Sequence, residues 1–445
     1  MKRALRVGLC GVALAAAGCT RVVDAVTAPG ASTVCTQQST DPDCAPTAWP
    51  TVGHTANSDP WLVTHNEVIT SMAPAVLVLN FDNGVSAMDT GKYAGQVAAA
   101  LAVGSTYHGY SSSAALPFLN YVVTQVVDLT DSTAAGTQNQ NLPVTDGAFD
   151  PTALFSAQFA ASYGYVDPTN PSRYLTLCEL FEQGIINEVW IQDGESPPRR
   201  SPLYAEYKQE YDDNGLAIPN KFDDAVGGGS VVTVLSGITC GVTVRIAHLD
   251  PSPSGGVGCD VYVRGWGIEG MWQNALPALN TDAAAFLNQD FDTRFGVRFS
   301  GWPDICDAMS AQAGVPCVTY TSPTSATGTY PNDGTSWTIA QFYQGCGSSQ
   351  FPPNAIWRGD FGTTTPAVAV DSRCEHFGLG GGANGGDLYE PYTAGMVSTL
   401  EPNYPASQCG ADWQIYWRQN MPGYGNQAKT HDGQPMENWW PVLFY

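Results

Sequence analysis

The chain has 445 residues, 43% of them hydrophobic and only 13% charged, so it carries enough apolar surface for a folded interior and is not a disordered polymer. Its 18 basic residues stand against 41 acidic ones, a formal charge of −23, which excludes nucleic acid as a partner because phosphates require a basic surface.

Met1-Lys2-Arg3 and Arg6 precede a short apolar run from Val7 to Ala17, which is too short for a finished membrane span and reads as an export signal. Its end, Leu14-Ala15-Ala16-Ala17-Gly18-Cys19, resembles a bacterial lipoprotein box, in which the cysteine is acylated and becomes the first mature residue. Residues 1–18 are then the signal peptide and Cys19 is the expected lipid anchor. Removing Lys2, Arg3 and Arg6 leaves 15 basic residues against 41 acidic ones, a charge of −26, so acyl chains rather than electrostatic attraction provide the membrane attachment. Thr20, not aspartate, follows the anchor, which favours the outer membrane or cell surface as the place in the envelope.

Residues 19–59 are rich in Thr, Ser and Pro and predict a flexible tether. From residue 60 to 265 the pattern is that of an α/β core domain. Ala75 to Phe81 is a continuously apolar, short run and predicts a fully buried strand. Residues 91–103 predict a helix, 120–129 a strand, 152–163 and 172–183 two helices, 188–192 a strand and 241–247 another. Such alternation predicts a mostly parallel sheet covered by helices, with ligands beyond the carboxyl ends of its strands. After residue 266 the rhythm fades. Nine of the twelve tryptophans lie there, and residues 266–445 predict a loop-rich, Trp- and Gly-rich region packed on the core and stabilised by disulfides.

Apart from Cys10 and Cys19 there are ten cysteines: Cys35, Cys44, Cys178, Cys240, Cys259, Cys306, Cys317, Cys346, Cys374 and Cys409. An even set in an exported chain predicts disulfides. Proximity suggests Cys35 with Cys44, Cys240 with Cys259, Cys306 with Cys317 and Cys346 with Cys374.

The chain has no Gly-x-Ser-x-Gly, no His-Glu-x-x-His and no phosphate-binding Gly-rich loop, so any chemistry is built from scattered residues. The polar residues after the predicted strands are the candidates: Asp82 and Asn83, Asp128 and Asp131, Asp193 and Glu195, and His248 and Asp250. Two carboxylates in unlike environments can divide acid and base roles, as they do in glycosidases. Asp82, Asp193, Glu195 and Glu269, the last set among Trp266, Gly267 and Gly270, are the catalytic candidates. His248 and Asp250 are a candidate pair of metal ligands, in an oxygen-rich setting that suits calcium or magnesium. Trp266, Trp272 and Trp357, with Asn354, are candidate sugar-binding residues, while Trp439-Trp440 reads as core and Glu375-His376, beside Cys374, as structural.

Six segments, taken in order, resemble a family of exported bacterial proteins, also found in some fungi, that has no established activity. They are Leu79-Asn80-Phe81-Asp82, Ile186 to Ile191, Val244-Arg245-Ile246, Gly265 to Glu269, Phe351 to Asn354, and Trp417 to Pro422 with Asn438-Trp439-Trp440. Members tend to carry Gly-His-Arg before an acid where this chain has Gly267-Ile268-Glu269. The resemblance implies one long exported α/β domain and no particular reaction. The expectation drawn from the residues is a lipid-anchored, carbohydrate-active hydrolase acting on an extracellular polysaccharide. A non-catalytic glycan- or peptide-binding lipoprotein and a metal-dependent exported peptidase are the alternatives.

Overall fold

Residues Ala75–Asn80 form β3, at the heart of a six-stranded mixed sheet in the computed structural model. The structure describes residues 34–195, 199, 201, 204–211, 217–227, 235, 237, 238, 240–249, 318–329, 336–340, 345–347, 352–356, 369–382, 386–404, 410–429, 433 and 435–445. Cys19, Asp250, Cys259, Trp266, Glu269, Trp272, Cys306, Cys317, Trp357 and Cys409 lie outside them.

Before β3 come β1 (Thr47–Trp49), α1 (Pro60–His65) and β2 (Ile69–Met72), with β1 parallel to β2. The tether expected over 19–59 therefore ends earlier than predicted. From Cys35 the chain is folded, with Trp49 and Asn57 buried and Asn57 donating to the carbonyls of Asn187 and Thr243. After β3 come α2 (Ala87–Gly104) and β4 (Val122–Asp128), then a small hairpin of β5 (Val144–Thr145) and β6 (Ala148–Phe149). Its turn, Asp146-Gly147, holds φ of 52° and 82°, the left-handed pair that a tight hairpin needs.

Next are α3 (Ala157–Tyr163), a hairpin of β7 (Val166–Asp167) and β8 (Asn170–Tyr174), α4 (Leu177–Glu182) and β9 (Glu188–Gln192). The helix predicted over 172–183 is thus confined to its second half. Thr176 and Glu179 form a reciprocal capping box that starts α4, and the exposed residues before it pair as β8. Likewise the helix predicted over 152–163 is split by Ser156 into a 3-10 turn, Pro151–Phe155, and α3.

β10 (Tyr204–Tyr211) and β11 (Ala217–Gly227) form an antiparallel hairpin, and β12 (Val244–His248) completes the sheet. The strand order is β11-β10-β12-β9-β3-β4. β12, β9, β3 and β4 pair parallel, while β10 lies antiparallel to both its neighbours. The chain leaves β3 toward β4 on one side, then returns to place β9 on the other. The connections diverge between β3 and β9, and a crevice opens there beyond the carboxyl ends.

Both faces of the sheet are covered, which explains the unbroken apolar runs of β3 and β9. Val76, Val78 and Trp190 pack with Ala94, Val97 and Leu101 of α2, whereas Leu77, Leu79, Val189 and Ile191 pack with Tyr163, Leu177, Leu180 and Phe181.

Beyond residue 317 the described elements are short. β13 (Val318–Ser322), β14 (Ser325–Thr329) and β15 (Ser336–Ala340) form an antiparallel sheet, and β16 (Val370–Ser372) pairs with β17 (Glu390–Tyr392). α5 (Ala394–Leu400) and α6 (Ala411–Gln419) follow. α6 packs on α2 so closely that a Cβ at Gly104 would lie 2.7 Å from Cδ of Arg418. Trp413, Trp417, Trp439 and Trp440 join the same core as α2, and the 3-10 turn Trp440–Phe444 is buried with them.

Three disulfides form among the described residues: Cys35–Cys44, Cys178–Cys240 and Cys346–Cys374. The proximity pairing of Cys240 with Cys259 is overturned, because the segment before β12 folds back beside α4 and brings Cys240 to Cys178. That bond closes a loop of 62 residues, so replacing both cysteines with serine should lower stability by about 4 kcal/mol on the chain-entropy account. Urea unfolding of the double variant measures it.

One row across the sheet is ionic. Glu206 of β10 stands opposite Arg245 of β12, and Arg245 precedes the pair Ile246–Val189, which puts it beside Glu188 of β9. Arg245 Nη1 lies 3.8 Å from Glu188 Oε1, with both side chains fully buried. Glu188 also accepts from Tyr121 Oη at 2.8 Å and from Trp190 Nε1 at 2.9 Å. Lys208 Nζ lies 3.5 Å from Glu206 and donates to the Val442 carbonyl at 2.6 Å. Burial pushes the Lys208 ammonium down to about 8 and holds the Glu188 carboxyl above the usual range.

Candidate active site

The register aligns Asn80 with Gln192, so β3 and β9 end flush and the residues after them lie side by side. Phe81, Asp82 and Asn83 follow β3, and Asp193, Gly194 and Glu195 follow β9. Together with Gly136, Thr137, Gln138, Gly147 and Arg199 they line a cleft of about 440 Å³. Three of the four predicted catalytic acids thus meet in one place, and the fourth, Glu269, lies outside the described residues.

Asp82 is half-exposed and turned into a local loop: its Oδ1 accepts from the Gly84 N–H at 2.7 Å and its Oδ2 from Gln192 Nε2 at 3.2 Å. Gly194, at φ 59°, passes directly beneath it. A Cβ at that position would sit 2.6 Å from the Asp82 carboxylate, so only glycine lets the two strand ends approach.

Glu195 is held from the other side of the cleft. Its Oε1 accepts from the Asn139 N–H at 2.8 Å, while Arg199 Nη2 donates to the Asn139 carbonyl at 2.8 Å and Nη1 to Gln138 Oε1 at 2.9 Å. One acid and one base thereby clamp a single residue of the wall loop. Asn139 itself is buried and donates to the Phe81 and Leu129 carbonyls. Asp131, earlier in the same loop, accepts from Asn83 Nδ2 at 2.8 Å and from Thr133 and Gln140. These donors, the Thr133 hydroxyl first, hold its carboxyl down to about 2.

Asp193 is buried at the back. Its Oδ1 accepts from the Glu195 N–H at 3.1 Å and its Oδ2 from the Ser201 N–H at 2.6 Å, with His248 Nδ1 at 3.6 Å. Burial alone would raise this carboxyl, but the charge and hydrogen bonding of His248 and the donors of Ser201 outweigh it and hold it below the usual value of 3.8. A depressed folded-state value contributes stability above pH 3.8 that disappears as pH falls through the folded-state value. Asp193→Asn should therefore remove part of the acid limb of the stability profile, measured by thermal melting below pH 5 (roughly the upper edge of a carboxylate's transition).

Ser201 Oγ lies 2.6 Å from His248 Nδ1, so a serine, a histidine and an aspartate do meet here. Serine and aspartate approach the same ring nitrogen, however, whereas a nucleophile relay needs them on opposite nitrogens. The trio fixes the end of β12 against β9. It also occupies His248 Nδ1, and its predicted co-ligand Asp250 lies outside the described residues. Among the described residues no group of three or more His, Cys, Asp or Glu side chains is placed to hold a metal ion.

No known family, curated protein or solved structure matches the chain.

Of the predicted sugar-binding residues only Asn354 is described. It is buried beside Pro353 and Ala355, whose carbonyls accept from the Tyr320 hydroxyl, and it is not part of the cleft lining. The described cleft wall comes from residues 136–138 and 147 rather than from the Trp-rich half. Sequence reasoning passed over Arg199, Asn139 and Gly194. The only readable trace was Arg199-Arg200, a basic pair in an acidic chain, seven residues after a predicted strand.

Proposed function

We propose that the protein is an exported, lipid-anchored hydrolase acting on a polysaccharide, with Asp82 and Glu195 as its acid/base pair. The observation that carries this reading is the convergence of Asp82, Asp193 and Glu195 on one cleft at the diverging ends of β3 and β9. Asp193 is committed to Ser201 and His248, which leaves the two half-exposed acids to move protons. Their settings differ, one on a tight loop after β3 and the other tied to the wall loop, as a division of acid and base roles requires. Thr137 and Gln138 supply neutral polar groups suited to sugar hydroxyls, while Asn83 is tied to Asp131 and Thr133.

Three disulfides suit an oxidising compartment, and among the described residues no helix is long and apolar enough to cross a membrane. The disulfides fit export, with Cys19 carrying the acyl anchor, and two of the segments that resemble the exported bacterial family, around Asp82 and Trp190, flank the cleft. The binding-lipoprotein alternative loses support because the described tryptophans beyond residue 400 are core residues.

Asp82→Asn and Glu195→Gln should each lower turnover of a cleaved glycan by about 10²- to 10⁴-fold with no change in the unfolding midpoint. Reducing-end release across a glycan panel measures it, and full turnover in both variants overturns the assignment.

A further inference from the structure

Resting on the hydrolase reading, we infer that the cleft takes a cationic sugar polymer, one whose repeating units carry free amino groups. Among the described residues the lining holds three carboxylates, Asp82, Asp193 and Glu195, against one guanidinium, Arg199. That guanidinium is turned to neutral oxygens, those of the Gln138 side chain and the Asn139 backbone, and forms no ion pair with the acids. Among the described residues its buried Nε has no hydrogen-bond partner, which makes it a donor at the cleft for a hydroxyl or carbonyl oxygen.

A fourth carboxylate, Asp131, stands directly behind Asn83. Asp193 and Asp131 are both fixed in the ionised state by their donors. The field of the cleft therefore stays negative whichever of Asp82 and Glu195 holds the catalytic proton. On a chain of net charge −23 this repels acidic glycans and draws in cations, and a low-dielectric cleft strengthens both effects. The neutral polar groups beside the acids distinguish a polyhydroxylated cation from a basic peptide. Ammonium groups meet the carboxylates, and hydroxyls meet Thr137 and Gln138.

The test is titration calorimetry of the full mature chain with four probes: a glucosamine oligomer, its N-acetylated counterpart, a galacturonate oligomer and oligolysine. The glucosamine oligomer is expected to bind at least about ten-fold more tightly than the other three, with an affinity that falls as salt is raised. Equal or tighter binding of the acetylated or acidic oligomer, accompanied by its hydrolysis, overturns the charge assignment and leaves the hydrolase reading intact. Tighter binding of oligolysine replaces the sugar with a basic peptide and overturns the inference. Failure of every sugar to bind or be cleaved overturns both readings together.

Discussion

Replacing Arg245 with methionine is expected to destabilise the protein by about 3–5 kcal/mol, the range for removing one partner of a buried ion pair. The guanidinium lies 3.8 Å from Glu188, both side chains are shut away from water, and no guanidinium nitrogen of Arg245 has a hydrogen-bond partner among the described residues. The pair is thus poorly bonded and still indispensable. Without Arg245, Glu188 retains two neutral donors, Tyr121 and Trp190, and must take up a proton or remain an uncompensated buried anion. The loss should shrink as pH falls, because protonation relieves Glu188. Pairing Arg245→Met with Glu188→Gln should recover part of the loss, so a double-mutant cycle by urea unfolding separates the cost of an orphaned charge from lost packing against Phe444, whose ring lies 5.2 Å from the guanidinium. Additive losses from the two substitutions would refute the coupling.

Gly194→Ala is the corresponding experiment for the cleft. The added methyl enters within 2.6 Å of the Asp82 carboxylate, and the φ of 59° disfavours any L side chain by about 1–2 kcal/mol. Asp82 is itself tied to Gly84 and Gln192, so it cannot yield without leaving its position. Displacing a reacting group by an ångström costs on the order of 10²-fold in rate. Turnover should therefore fall about 10²-fold, with a far smaller change in the unfolding midpoint. A kcat equal to that of the parent would show that the Asp82 position carries no chemistry.

β3 and β9 were legible because strands covered on both faces are written as continuous apolar runs, Ala75 to Leu79 and Val189 to Ile191. The rule that ligands lie beyond such strands then brought Asp82, Asp193 and Glu195 forward without any motif. The hairpin β10–β11 was not legible. Its interior positions include Glu206, Lys208 and Gln209, all buried, so the alternation that marks a strand is replaced by charges that pair with each other and, for Lys208, with the Val442 carbonyl 234 residues away. Trp439-Trp440 was legible as core because the run to Tyr445 is almost wholly apolar, and with Trp413 and Trp417 it forms a layer packed on α2. Arg199 and Asn139 escaped because a clamp between two loops leaves no periodic trace.

The buried turn Trp440–Phe444 also bears on how the chain reaches this state. Ser58 donates its N–H to the Phe444 carbonyl at 2.7 Å, and Asn66 bonds the Tyr445 hydroxyl across 379 residues. One layer of the core therefore waits for residues synthesised hundreds of positions after the strands it covers. During synthesis the Trp49 and Trp190 face stands open, an apolar surface prone to association. So long-range a closure makes folding slow and leaves this layer incomplete until residues 440–445 are available.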